Sequence, residues 1–168
     1  VRAEAGSTVK LSVDANGGWS VDDACRMSAW LAERQIEYLE QPLPRGREAD
    51  LPQVRKASAL PVIVDESCFT SPDVAALAGQ IDGINIKLMK CGGLDEALRM
   101  VATARALGLK ILVGCYGNTT LGNIAAATLG ACVDFLDLAS QLNLKDAPFK
   151  GTRFGAGAGS GLICTTSA

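Results

Sequence analysis

The sequence predicts an α/β fold in which helices cover a parallel sheet. Short apolar runs and segments with apolar residues at helical spacing take turns along the chain. The apolar runs, such as "LPVIVDE" and "KILVGC", are nearly continuous, as expected of strands buried on both faces. At 168 residues and 48% apolar, the chain is long enough for one buried core. An open doubly wound sheet and a barrel both satisfy this alternation.

In chain order, residues 9–13 read as the first strand. Residues 21–34 follow as a helix, with Ser20 at the N-cap and Asp22 and Asp23 in the first turn, where carboxylates complement the helix dipole. Residues 36–39 form the second strand and residues 48–59 a helix. "LPVIVDE" is the third strand, and Ser71-Pro72 opens a short helix with Pro at its first position. Residues 81–88 form the fourth strand. A helix over residues 94–107 ends at Gly108, a residue suited to the left-handed C-terminal turn. "KILVGC" is the fifth strand, residues 121–129 a helix, and "CVDFLDL" the sixth strand. Residues 1–151 form the folded domain. The Gly-rich stretch 152–168 has little to bury and reads as a mobile tail.

Composition narrows the chemistry. A formal charge of -2, with acids and bases mixed along the chain, offers no basic patch for a nucleic-acid backbone. No apolar run approaches the ~20 residues that cross a bilayer, and residues 1–10 lack a signal-like layout, so the expectation is a soluble, cytoplasmic protein without nucleic-acid or membrane partners. The six cysteines lie far apart in mostly apolar surroundings, the setting of reduced, packed thiols. There is no histidine, which removes every histidine-assisted nucleophile. Carboxylates, lysines and bound ions remain.

Three of the strands end in an acid: Asp14 in "SVDAN", Glu40 in "YLEQP" and Asp65 in "VIVDES". They recur at intervals of about 25 residues, one β-α unit each, so a parallel sheet projects all three from its C-terminal edge, where α/β folds hold their active sites. Singly, each acid also reads as a turn or cap residue. Together, converging carboxylates repel unless a cation lies between them, and an all-oxygen set suits Mg²⁺. The fourth strand, "INIKLMK", brings Lys87 to its end and Lys90 just beyond. A lysine beside a metal ion has a lowered pKa, which fits it for proton transfer. Both lysines also read as solvated loop residues.

The ordered set "DAN..W", "EQP", "DES" and "NIKLMKCGG" resembles the barrel domain of the enolase superfamily, within it the muconate-lactonizing subgroup that includes dipeptide epimerases. The resemblance covers about residues 9–151 and implies a partial TIM (β/α) barrel of about six β-α units, strands three to eight. It implies a Mg²⁺-dependent epimerase or racemase of small-molecule carboxylates or dipeptides, working by α-proton abstraction through an enediolate. In that reading Asp14, Glu40 and Asp65 hold Mg²⁺, Lys87 exchanges the proton, and Asp137 and Lys90 contact substrate. The family's second lysine, on barrel strand two, has no counterpart here, so the chain reads as an incomplete fragment, inactive alone. "DFLDLASQLNL" shows Asp137 followed by Ala139 where relatives have Asp-x-Asp, and "GCYGNTTLGN" departs from the usual strand-seven loop. An o-succinylbenzoate synthase-like or cycloisomerase lyase is an alternative on the same scaffold. So is a non-catalytic partial barrel or interaction module, whose two open edges imply a homo-oligomer.

Overall fold

The computed structural model describes residues 1–146, 152–156 and 162–166. A short helix α1 (Arg2–Ala5) precedes the alternation, which runs β1 (Leu11–Asp14), α2 (Val21–Ala32), β2 (Ile36–Glu40), α3 (Leu51–Ala57), β3 (Val62–Val64) and α4 (Ser71–Leu77). It continues through β4 (Gly83–Ile86), α5 (Leu88–Cys91), α6 (Leu94–Ala106), β5 (Lys110–Val113), α7 (Thr120–Ala127) and β6 (Phe135–Leu136).

Strands β1 to β6 form one parallel sheet, and their order in the sheet is their order in the chain. A doubly wound sheet needs a reversal of strand order, and none occurs here. The decisive contact lies across the sheet. Tyr38 of β2 and Phe135 of β6 have ring centroids 4.6 Å apart, although four strand spacings would separate them by about 19 Å on a flat sheet. The sheet is curled, as a barrel wall is, and this selects the partial barrel over the open sheet.

The helix ends follow from local chemistry. Ser20 Oγ accepts from the Asp23 backbone N–H at 3.1 Å and donates to Asp23 Oδ2 at 2.8 Å, which fixes the start of α2. Helix α4 begins at Ser71 behind a Thr70/Asp73 capping box, so Pro72 falls one position later than its sequence position predicts, still in the turn whose N–H groups lack partners. At the end of α6, Gly108 adopts φ 70°. The N–H groups of Gly108 and Leu109 then reach the carbonyls of Arg105 and Ala104, which turns the chain into β5. The long helix expected over residues 48–59 is a 3₁₀ turn, Glu48–Asp50, leading into α3.

The main core joins the helix-facing side of the sheet (Val62, Val64, Ile84, Ile86, Ile111 and Val113) to Leu51, Val54, Val74, Met100 and Ala104 of the helices. Each Val, Leu, Ile or Met side chain of this set withdrawn from water stabilises the fold by roughly 1.5–3 kcal/mol. Successive strand residues point to opposite faces, so the alternating set Tyr38, Ile63, Leu112 and Phe135 forms a second, inner cluster.

The Gly-rich end departs from the mobile tail the sequence implies: β7 (Thr152–Ala156) and β8 (Leu162–Thr166) pair antiparallel. Residues 147–151, where the expected boundary falls, and residues 157–161 and 167–168 lie outside the described residues.

Candidate active site

The inner-face alternation determines which residues meet at the C-terminal mouth. Two positions beyond Tyr38, Ile63 and Phe135 come Glu40, Asp65 and Asp137, and the same parity takes Ser12 to Asp14 and Asn85 to Lys87. Asp14 and Glu40 are paired in register. The structure therefore brings Asp14, Glu40, Asp65 and Lys87 to the ends of four adjacent strands, with Asp137 exposed at the end of β6. Asp134, the other acid of that strand, pairs with Arg105 at 2.8 Å and caps the Ile111 N–H at the opposite rim.

Each acid has its own surroundings. Asp14 is exposed and accepts from the Asn16 backbone N–H at 2.7 Å, so it closes its own turn while standing at the mouth. Glu40 is buried and accepts from Asn85 Nδ2 at 2.6 Å. Burial, reinforced by the charges of Asp14 and Asp65, raises its pKa to about 7 against the pull of the Asn85 hydrogen bond. Asp65 is fully buried and holds two ammonium groups, Lys87 on Oδ2 and Lys90 on Oδ1.

Lys87 also lies 4.4 Å from the centre of the Tyr116 ring. Burial pulls its pKa down, but Asp65, with help from Glu40 and Tyr116, outweighs burial, so the value sits above that of an ordinary lysine. A lysine beside a cation has a lowered value; here the neighbour is a carboxylate, and the sign follows it. Lys90 is in α5 and turned inward, its ammonium also bonded to the carbonyls of Asp65, Cys68 and Asn85 at 2.6, 3.0 and 2.9 Å.

Four further residues belong to the mouth and escape a reading of strand ends. Gln41, buried at φ 33°, accepts from the Asp65 N–H at 2.8 Å and donates to Leu43 O at 2.8 Å and Ser67 Oγ at 3.0 Å, tying the β2 and β3 exits together. Asn85 is a polar residue in the buried run "GINIKL", a signal the sequence does carry. Glu66 has a buried Oε2 with no hydrogen-bond partner among the described residues, and burial with the charges of Asp65 and Asp14 raises its pKa. Tyr116 covers Lys87 from the loop after β5.

As it lies, this set does not close around an ion: among the described residues no three acidic or thiol side chains stand together as a metal cluster. The donor chemistry nonetheless fits Mg²⁺. The donors are all carboxylate oxygens, Glu40 is pushed toward neutrality by burial and then by the charges of Asp14 and Asp65, which a cation would offset, and Glu66 leaves one buried oxygen without a partner among the described residues.

The family model for enolase C-terminal domain-like proteins matches residues 1–153. The chain belongs to that family. A hydrophobic dipeptide epimerase of Roseobacter litoralis is 54% identical over 152 residues, which are 90% of this chain and 44% of the relative. An L-Ala-D/L-Glu epimerase of Bacteroides thetaiotaomicron is 45% identical over 142 residues, 84% of this chain and 37% of the relative. A dipeptide epimerase of Enterococcus faecalis, solved with Mg and the dipeptide L-Leu-L-Tyr, superposes with a TM-score of 0.85 at 38% identity, over 89% of this chain and 44% of that one. This member of the family thus spans less than half the length of each of these relatives.

Proposed function

We propose that the chain carries the cation-binding and one proton-transfer half of a Mg²⁺-dependent dipeptide epimerase. The observation that carries this reading is the placement of three carboxylates and one lysine at the ends of four adjacent strands, on the inner face of a curled parallel sheet. The two relatives described above are dipeptide epimerases by name, which supports a dipeptide over the acids that lyases of the same scaffold process.

Asp14, Glu40 and Asp65 would hold Mg²⁺, which when bound withdraws charge from a substrate carboxylate and so acidifies the adjacent α-carbon. Lys87 Nζ moves the α-proton on the face it reaches. Asp137, at the end of β6, meets the substrate ammonium. The other strand-associated lysines stand at the opposite rim: Lys10 pairs with Glu37 at 3.1 Å, and Lys110 opens β5 in an exposed position. One face of the α-carbon is therefore served by this chain.

The test is α-deuterium exchange followed by NMR, with the 168-residue chain, Mg²⁺ and an L-Ala-L-Leu dipeptide or its C-terminal D-epimer in D₂O. Exchange of one epimer without sustained inversion is expected, and Lys87→Ala should abolish it. Absence of exchange in either epimer would overturn the reading, and steady inversion would show a second base that the geometry does not supply.

A further inference from the structure

Asp65 holds two lysines, and the two are held very differently. Lys90 offers three N–H bonds to four acceptors, namely Asp65 O and Oδ1, Cys68 O and Asn85 O. Its side chain is 2% exposed. Those acceptors come from the end of β3, the loop after it and β4, so the ammonium is caged by backbone that the sheet itself fixes. Among the described residues Lys87 has one hydrogen-bond acceptor, Asp65 Oδ2, and otherwise faces the Tyr116 ring, with its side chain 11% exposed.

A buried ammonium that loses its acceptors is strongly disfavoured. Moving Lys90 would cost its ammonium four acceptors, whereas moving Lys87 breaks one hydrogen bond at the edge of the mouth. From this asymmetry we propose that Lys90 is a positioning residue, a permanent internal cation that fixes Asp65 through Oδ1 and presents Oδ2 to the mouth. Lys87 is then the exchangeable partner, which leaves Oδ2 when a divalent cation arrives and is thereby freed toward substrate. This departs from substrate contact by Lys90, because its N–H bonds are already occupied. The inference rests on the assignment of Asp65 as a cation ligand made above.

The two lysines make a sign test possible. By charge alone, removing either ammonium should tighten the binding of a nearby dication, since like charges repel. Titration calorimetry with MgCl₂ should show Lys87→Met binding several-fold more tightly than the unsubstituted chain. Lys90→Met, with the same change of charge, should bind at least tenfold more weakly, because Asp65 loses its anchor. Circular dichroism checks that both variants fold. No binding by the unsubstituted chain would refute the ligand assignment itself, whereas binding that Lys90→Met leaves equal or tighter would refute the positioning role alone.

A measurement without substitution keeps the test open if Lys90→Met does not fold. In the ¹⁵N-lysine spectrum of the intact chain, the Lys90 ammonium should exchange slowly and stay in place on Mg²⁺ addition, while the Lys87 signal shifts. Displacement of the Lys90 signal, or movement of both together, would overturn the proposal.

Discussion

Glu40 is the residue at which stability and cation binding oppose each other. Its ordinary value of 4.5 is raised to about 7 in the folded chain. Below the lower value Glu40 is protonated in both folded and unfolded states; between the two, the folded state binds more protons, so stability falls as pH rises until the loss is complete above about 7. Glu40→Gln keeps an oxygen for the Asn85 donor and removes the charge. The Mg²⁺-free variant should therefore gain on the order of 2–3 kcal/mol at pH 8 and lose the slope between pH 4.5 and 7 in thermal melts. The same variant should lose most of the stabilisation that Mg²⁺ gives by binding the folded state; a melt unchanged with pH in the parent chain would contradict the argument. Asp14→Asn is the cleaner ligand probe, since Asp14 is exposed. Asp65→Asn strands two buried ammonium groups and should cost about 3–5 kcal/mol before any cation is added. At this scale the sequence shows where the acids stand, because strand ends follow from the apolar runs. It does not show that Lys90 turns inward onto Asp65, because that pairing joins residues 25 apart through carbonyls from three segments, and no local pattern encodes it.

At the scale of elements, two glycines mark where strands carry something closely packed. A Cβ on Gly83 would lie 2.8 Å from the Lys110 carbonyl oxygen, which is backbone held in the β4–β5 ladder. A Cβ on Gly114 would lie 2.7 Å from both terminal atoms of the Asn85 amide, a side chain that can move. Both substitutions to alanine should destabilise, by about 1–3 kcal/mol, with Gly83→Ala the worse because backbone cannot give way. Gly114→Ala should additionally weaken Mg²⁺ binding, since the displaced Asn85 no longer supports Glu40. Denaturant melts of the two variants, with and without Mg²⁺, read both effects, and equal Mg²⁺ responses would remove the Asn85 link. Caps and turns were legible in the sequence: Ser20, Gly108 and the Ser71-Pro72 start all act through groups within a few residues. Strand lengths were less so. Residues 81–88 read as one strand, but the ladder covers only Gly83–Ile86 and the chain then winds into α5, where Lys87 and Lys90 both bond to Asp65 just past the end of β3.

For the whole molecule, the curl of the sheet was ambiguous in sequence, since alternation alone does not say whether strand order reverses; the Tyr38–Phe135 contact joins residues almost a hundred positions apart. The curled sheet ends at β1 and β6, whose outer edges have no strand partner among the described residues. Unpaired N–H and C=O groups along such edges favour pairing between copies. Light scattering of the purified chain is expected to show a mass above 17.4 kDa that rises with concentration, and a concentration-independent monomer would count against it. Sheet order that equals chain order has another consequence, in the kinetics of amide exchange. Among the described residues each strand of the curled sheet pairs only with its sequence neighbours, so opening should proceed inward from the two ends, like the unzipping of a linear array. Strands β2 to β5 should then form the slow-exchanging interior, and β1, with Asp14 at its tip, is an outer tooth of the zipper. A cation that engages Asp14 together with Glu40 closes that tooth, so deuterium uptake at residues 11–14 should slow on Mg²⁺ addition far more than uptake at β6, which lends the proposed cation no ligand.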